Sequence, residues 1–162
     1  MMYNLGLDLG RTIKGPTGSY DAAFDNAFEV IAELVKQFDE TYIVSRVNSE
    51  QKMRAHIWFE QVDFFNKTGI KPENVYFCFD RRDKAIFVRG LGITVFVDDR
   101  PTVLMHMDHT VKKVLFNPWH EDVKQHWDVI HEQRMTLVNN WLEVKDLLSS
   151  SEKEIVKDLT KG

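Results

Sequence analysis

Cysteine is almost absent. The single Cys78 among 162 residues excludes an internal disulfide and any cysteine-built zinc knuckle. Long apolar runs are missing too, and none approaches the ~20 residues that a membrane span requires. The opening Met1-Met2-Tyr3-Asn4 carries no basic region, and Asp8 interrupts the apolar stretch behind it, which argues against a secretory leader. With four prolines and eight glycines, the chain shows no repeat, low-complexity segment or internal linker. Nor is there an excess of positive charge. Lys plus Arg count 21 against 25 for Asp plus Glu, a net charge of −4. That balance argues against tight, charge-driven binding to nucleic acid or membranes, although a local basic groove is compatible with it. What is present, 43% hydrophobic, 28% charged and 12% aromatic residues, is the profile of one globular domain. At this length roughly 68–70% of the unfolded surface can be buried, so no disulfide or structural metal is needed for folding. The expectation is a cytoplasmic, single-domain protein.

Apolar patterning alternates between two periods. Short apolar runs predict strands at Leu5–Leu7, Thr41–Val44, Val75–Phe79, Ile93–Val97 and Lys113–Phe116. Between them lie segments of helical spacing. Phe24, Ala27, Phe28, Ile31, Leu34, Val35 and Phe38 mark a first helix introduced by Ser19-Tyr20-Asp21. Asn48 or Ser49 caps a second, with Met53, Ile57, Trp58, Val62 and Phe65 as its inner face and Gly69 as its stop. A short helix over Asp83–Arg89 and a helical turn around Val103–Met107 follow. Everything after Trp119 reads as helical, with Trp127, Ile130, Leu137, Trp141, Val144 and Leu148 on the apolar side. Trp119 and Trp127 are expected in packing roles, and Cys78 as a small buried hydrophobe. Strands alternating with helices imply an α/β fold, a three-layer, Rossmann-like, mainly parallel sheet with helices on both faces. The domain spans 1–148, and a charged C-terminal tail occupies 149–162.

In such folds ligands sit beyond the carboxyl ends of the strands, so the residues following each strand are the informative ones. Here they are Asp8, Ser45-Arg46, Asp80 to Lys84, Asp98-Asp99 and Asn117. Three carboxylates converging on one rim repel one another unless a cation sits between them. Mg²⁺ suits oxygen ligands and retains waters and a substrate phosphate around it. Lys84 and Ser45 can bind the remaining phosphate oxygens, and Asp8 can attack phosphorus.

These residues, in this order, resemble the four motifs of the haloacid-dehalogenase-like (HAD-like) phosphohydrolase superfamily. Asp8-Leu9-Gly10-Arg11-Thr12 matches the first motif, Asp-x-Asp-x-Thr behind a hydrophobic strand. Tyr42-Ile43-Val44-Ser45 matches the second, Lys84 the third, and Val95-Phe96-Val97-Asp98-Asp99 the fourth. Val114–Trp119 and Trp141–Val144 look like the end of the 5′-deoxyribonucleotidase type, so the resemblance runs from about Leu5 to about Leu148. It implies a Mg²⁺-dependent phosphomonoester hydrolase with Asp8 as nucleophile and metal ligand. The Gly10 carbonyl and one or both of Asp98 and Asp99 complete the ligands, and Ser45, Lys84 and Thr12 lie about the phosphate. Arg46 and Arg11 fall on the substrate side. One position departs from the family. The second Asp of motif one, the general acid in family phosphatases, is Gly10, which removes a contribution typically worth ~10²–10⁴-fold. Arg11 also stands where many relatives have Gly. The resemblance therefore carries a second reading, a binding or regulatory protein that keeps the pocket without turnover.

The intervals between motifs hold no room for a large cap domain, so an open site is expected, with Gly15–Tyr20 as a partial lid. An open site suits a polynucleotide end, a protein, or a phosphorylated small molecule or nucleotide closed over by a second copy in a homo-oligomer; no membrane partner is expected. Leu5–Thr12 also resembles the phosphate turn of the sugar-kinase and actin-like ATPases, but that fold needs a second such domain and a hairpin where Lys14-Gly15-Pro16 stands. The six histidines lack the His-Glu-x-x-His spacing of zinc proteases. Arg81-Arg82, Lys84 and Arg89 form one basic cluster, read either as a solvated helix start or as a guide for a phosphorylated substrate.

Overall fold

A computed structural model describes residues 2–15 and 22–149. Six parallel strands form one sheet in the order β3-β2-β1-β4-β5-β6. They are β1 (Asn4–Leu7), β2 (Glu40–Arg46), β3 (Val75–Cys78), β4 (Ile93–Asp98), β5 (Lys112–Phe116) and β6 (Thr136–Val138). The five expected strands are all present, and the sheet is parallel throughout. Strand order reverses between β1 and β4, the topological switch point of a doubly wound sheet.

Period-two alternation sends side chains to two separate cores. Leu5, Leu7, Ile43, Val95, Val97, Val114 and Phe116 face one side. There they meet α1 (Ala27–Val35), α2 (Ser49–Gln61), α3 (Phe64–Thr68) and α8 (Trp141–Leu148). Val44, Phe96 and Leu115 face the other. That side is covered by α4 (Arg81–Gly90), α5 (Pro101–Leu104) and α7 (Trp127–Glu132), with α6 (His120–Gln125) leading into the last of these. Both faces are buried, which is why the strands read as continuous apolar runs.

Local signals set the helix ends. Asn48 and Gln51 form a reciprocal capping box at the start of α2, with bonds of 2.8 and 2.9 Å. Gly69, at φ 80°, ends α3 and donates its N–H to the Phe65 carbonyl.

Four expectations are corrected. Met53 and Ile57 are exposed, because α2 buries Ala55 and Phe59 beside the expected Trp58, and Trp58 and Phe59 pack against Phe64 in an aromatic cluster. Leu137 lies on the edge strand β6 rather than on a helix, and its side chain is exposed. Trp119 and Trp127 are likewise exposed, whereas Trp141 is fully buried. The expected short helix starts at Arg81, two residues early, because the Asp80 side chain caps it by accepting the Arg82 N–H at 3.0 Å. The part of the expected lid over 16–20, the Tyr20-Asp21 helix start and the tail beyond Ser149 lie outside the described residues.

Gly6 shows how tightly β1 is held. A Cβ there would lie 2.5 Å from Phe96 Cδ2 and 2.9 Å from Ile93 Cδ1, both on buried side chains. Gly6→Ala is therefore expected to destabilise the fold by about 1–3 kcal/mol. Urea unfolding measures this as a lowered midpoint at unchanged slope, and an unchanged midpoint would contradict the packing described.

Candidate active site at the carboxyl ends of β1 and β4

Register brings the two acidic strand ends together. Leu7 pairs with Val97, so Asp8 and Asp98 emerge side by side, and the Asp8 N–H donates to the Val97 carbonyl at 3.0 Å. Lys84 arrives from the first turns of α4, on the same face as the buried Val88. Its Nζ donates to Asp8 Oδ1 at 2.8 Å and to Asp98 Oδ2 at 2.7 Å. All three side chains are buried. The second oxygen of each carboxylate is also engaged: Asp8 Oδ2 accepts from Thr12 Oγ1 at 3.1 Å, and Asp98 Oδ1 from the Arg100 N–H at 3.0 Å. The Thr12 carbonyl accepts the Trp141 indole N–H at 2.9 Å, which ties α8 to the same loop.

Asp99 adds a third buried carboxylate. Ligand atoms of Asp8, Asp98 and Asp99 all lie within 4.8 Å of one another, the only such group found among the described residues. Arg11 approaches it, with Nε 3.4 Å from Asp99 Oδ2. The angle is poor, and that nitrogen makes no hydrogen bond, so the contact is electrostatic only. Arg11 sits at φ 60°, the left-handed region that favours glycine, at a cost of order 1–3 kcal/mol for a side-chain-bearing residue. Its guanidinium lies 4.2 Å from the centre of the Trp119 ring, and that of Arg100 lies 4.7 Å from it. Trp119 is thus exposed because it braces two arginines beside the site.

The electrostatics follow from burial. Desolvation, followed by the Asp8 charge, pushes Asp98 up to about 6 despite its bond to Lys84. Desolvation and the charges of Asp8 and Asp98 push Asp99 up to about 9. Burial alone would lower the Lys84 ammonium, but Asp8 and Asp98 override it and hold it above its ordinary value. The cluster is short of positive charge. Its donors are all carboxylate oxygens, the set that suits a hard divalent cation such as Mg²⁺.

The site floors a cavity of about 560 Å³. Every expected site residue except Thr12 lines it: Asp8, Gly10, Arg11, Ser45, Arg46, Lys84, Asp98 and Asp99. Thr12 is fully buried beneath Asp8. The wall also holds Gln51, Arg54, Arg81 and Arg100, of which only Arg81 had been marked by the sequence. Gln51 and Arg54 precede the buried Ala55 and Trp58 at helical spacing, and Arg100 directly follows the acidic pair; those were the signals available. Cys78 is buried as expected, and burial raises its thiol.

Neither a family model nor a curated protein sequence matches this chain. Among solved structures, a D,D-heptose 1,7-bisphosphate phosphatase from B. bronchiseptica, complexed with magnesium and phosphate, aligns with a TM-score of 0.65. The alignment covers 91% of this chain and 98% of that one, at 11% identity. A de novo designed Rossmann-fold protein aligns over 99% of this chain at a TM-score of 0.45 and 13% identity, too weak a likeness to argue from. The first likeness shows the fold: a Rossmann-like α/β sheet with helices on both faces, with no large cap among the described residues. No described helix is long and apolar enough to cross a membrane.

A raised carboxyl pKa stabilises the fold below the unfolded-state value and loses that contribution as pH rises through the folded one. For Asp98 and Asp99 this window opens near the ordinary value of about 3.9 and runs through about 6 and about 9. The metal-free protein should therefore lose thermal stability from pH 5 to pH 9. Mg²⁺ should raise Tm more at pH 9 than at pH 5, since fewer protons then compete for the carboxylates. Scanning calorimetry with Mg²⁺ and with EDTA checks this, and a Mg²⁺ increment independent of pH would contradict it.

Proposed function

We propose that this chain is a Mg²⁺-dependent phosphomonoester hydrolase that works through an aspartyl-phosphate on Asp8. The observation that carries the reading is the buried Asp8–Lys84–Asp98 arrangement, with Asp99 beside it, on a phosphatase-like fold. Asp8, Asp98 and Asp99, with the Gly10 carbonyl, would hold the cation. When bound, Mg²⁺ supplies neutralisation of the carboxylates and polarises a phosphoryl oxygen.

The chain's own residues do the rest. Asp8 presents a carboxylate oxygen as nucleophile, oriented by its bonds from Lys84 and Thr12. Lys84 and Ser45 bind equatorial phosphoryl oxygens and balance the charge that spreads over them. Arg11 and Arg46 contact the substrate from the rim. The phosphoryl–leaving-group bond breaks as the Asp8–phosphorus bond forms, the departing oxygen taking its proton from solvent since Gly10 has no acid to give. Water then cleaves the acyl phosphate, regenerating Asp8 and inorganic phosphate and returning a proton to solvent. The substrate is a phosphorylated small molecule; a nucleotide is the class favoured by the resemblance of Val114–Trp119 and Trp141–Val144 to the 5′-deoxyribonucleotidase type, within a cytoplasmic setting.

Gly10 bears on leaving-group chemistry. Its φ lies outside the left-handed region, and a Cβ added to it meets nothing within 4 Å. The backbone therefore accepts an acid there, and its absence limits protonation of poor leaving groups rather than the fold.

Phosphate release from p-nitrophenyl phosphate and from 5′- and 3′-mononucleotides, with Mg²⁺ and with EDTA, tests the proposal. Turnover should require Mg²⁺ and favour the aryl ester, and Asp8→Asn should reduce it by at least about a thousandfold. Gly10→Asp should raise turnover of alkyl phosphates by about a hundredfold relative to the aryl ester. Full activity in Asp8→Asn would sink the proposal. No release from any ester, in a chain that still binds Mg²⁺, would favour the binding-protein reading instead.

A further inference from the structure

A second cavity of about 650 Å³ lies beside the first and shares Arg46 and Arg81 with it. Its wall also carries Arg82, His106 and Phe79, which is 68% exposed. Arg46 Nε reaches the Phe79 carbonyl at 3.4 Å, which sets its guanidinium at the junction of the two cavities. Among the described residues, no carboxylate lies within ion-pair distance of Arg46, Arg81 or Arg82. The one acid on this wall, Asp80, is engaged as the cap of α4, accepting the Arg82 N–H at 3.0 Å.

Three guanidiniums therefore line one wall with no ion-pair partner and a single carboxylate, Asp80, beside them, an excess of positive charge that suits an anion. The scissile phosphate does not answer this need, since it is received at the floor by Lys84 and Ser45. From this we infer that the substrate's leaving group carries a second phosphate, bound between Arg46 and Arg81 at the junction of the cavities. Guanidinium forks match phosphate oxygens in pairs, and the low-dielectric walls focus their field. Phe79, a bare ring among the cations, offers a stacking face for a base on that same leaving group. The inference rests on the phosphatase reading and deepens it by naming the substrate class: a bisphosphorylated compound, either a small one or a phosphorylated nucleic-acid end whose next phosphodiester supplies the second group.

Two measurements test it. In the wild-type chain with Mg²⁺, KM for phosphate release from adenosine 3′,5′-bisphosphate should be at least about tenfold lower than from adenosine 5′-monophosphate. Arg81→Gln should erase that preference while changing kcat/KM for p-nitrophenyl phosphate by less than about twofold. In the Asp8→Asn chain with Mg²⁺, calorimetric Kd values for the two nucleotides should show the same preference and the same loss in Arg81→Gln. Equal KM and Kd for mono- and bisphosphate, or an equal effect of Arg81→Gln on the aryl ester, overturns the inference while leaving the phosphatase reading in place. A preference in binding with no phosphate release from any ester overturns the phosphatase reading and supports the second subsite. Fructose 1,6-bisphosphate and a 5′-phosphorylated trinucleotide name the source. Equal gains support the subsite as a general second-phosphate site. A larger gain for the nucleotides, lost in Phe79→Ala, supports it as a nucleotide site.

Discussion

One buried ammonium holds the centre of this protein. Lys84 Nζ bridges Asp8 and Asp98, which stand at the ends of the two strands flanking the switch point, and so joins β1, β4 and α4 at one atom. Removing one partner of such a buried group typically costs about 3–5 kcal/mol, because the remaining charges are left without compensation. A lysine in the first turns of a helix is also poorly placed with respect to the helix dipole. Its position makes sense only through the carboxylates it meets. The bridge balances one of the three acids and leaves Asp98 and Asp99 raised by burial and mutual repulsion. The structure thus combines a fixed cation with a deficit of positive charge, and that deficit is what a divalent ion would fill.

Around this floor the charge changes sign. The chain as a whole is acidic, at −4, yet Arg11, Arg46, Arg54, Arg81 and Arg100 line the cavity above the carboxylates. Net charge describes solubility and long-range repulsion; the local wall describes what enters. Arg11 shows the cost accepted for that wall. It occupies a left-handed backbone position and is steadied by Asp99 and by the ring of Trp119, which also carries Arg100. Gly10, one residue earlier, has open space and no backbone demand for glycine. On the proposed reading, these two neighbouring positions would receive anionic groups at the rim and leave the departing group without strong acid assistance.

Much of this is legible in the sequence. The strands are buried on both faces, so apolar runs marked them, and the residues after each run fell on the carboxyl edge where the site lies. Asp8, Ser45, Lys84 and Asp98-Asp99 are marked by that rule, and the structure brings them to one cavity. The failures have physical causes as well. β6 has only three residues, and Leu137 on it faces outward, so neither length nor alternation marked a strand. The inner face of α2 was displaced because Trp58 and Phe59 enter an aromatic cluster with Phe64, which rotates Met53 and Ile57 into solvent. Size alone predicts packing for all three late tryptophans, and only Trp141 is buried; Trp119 stands against arginines that arrive from two other loops. Gln51, Arg54 and Arg100 gain their place from tertiary contacts that no local pattern announces.

The central claim is that Asp8 is a nucleophile. Mass spectrometry of peptides from the Mg²⁺-loaded protein, acid-quenched during turnover of p-nitrophenyl phosphate, tests it directly. One added phosphoryl group is expected on the peptide containing Asp8, removed by hydroxylamine and absent when Mg²⁺ is chelated. A steady release of phosphate with no phosphorylated Asp8 peptide at any quench time, or the group on another residue, would contradict it.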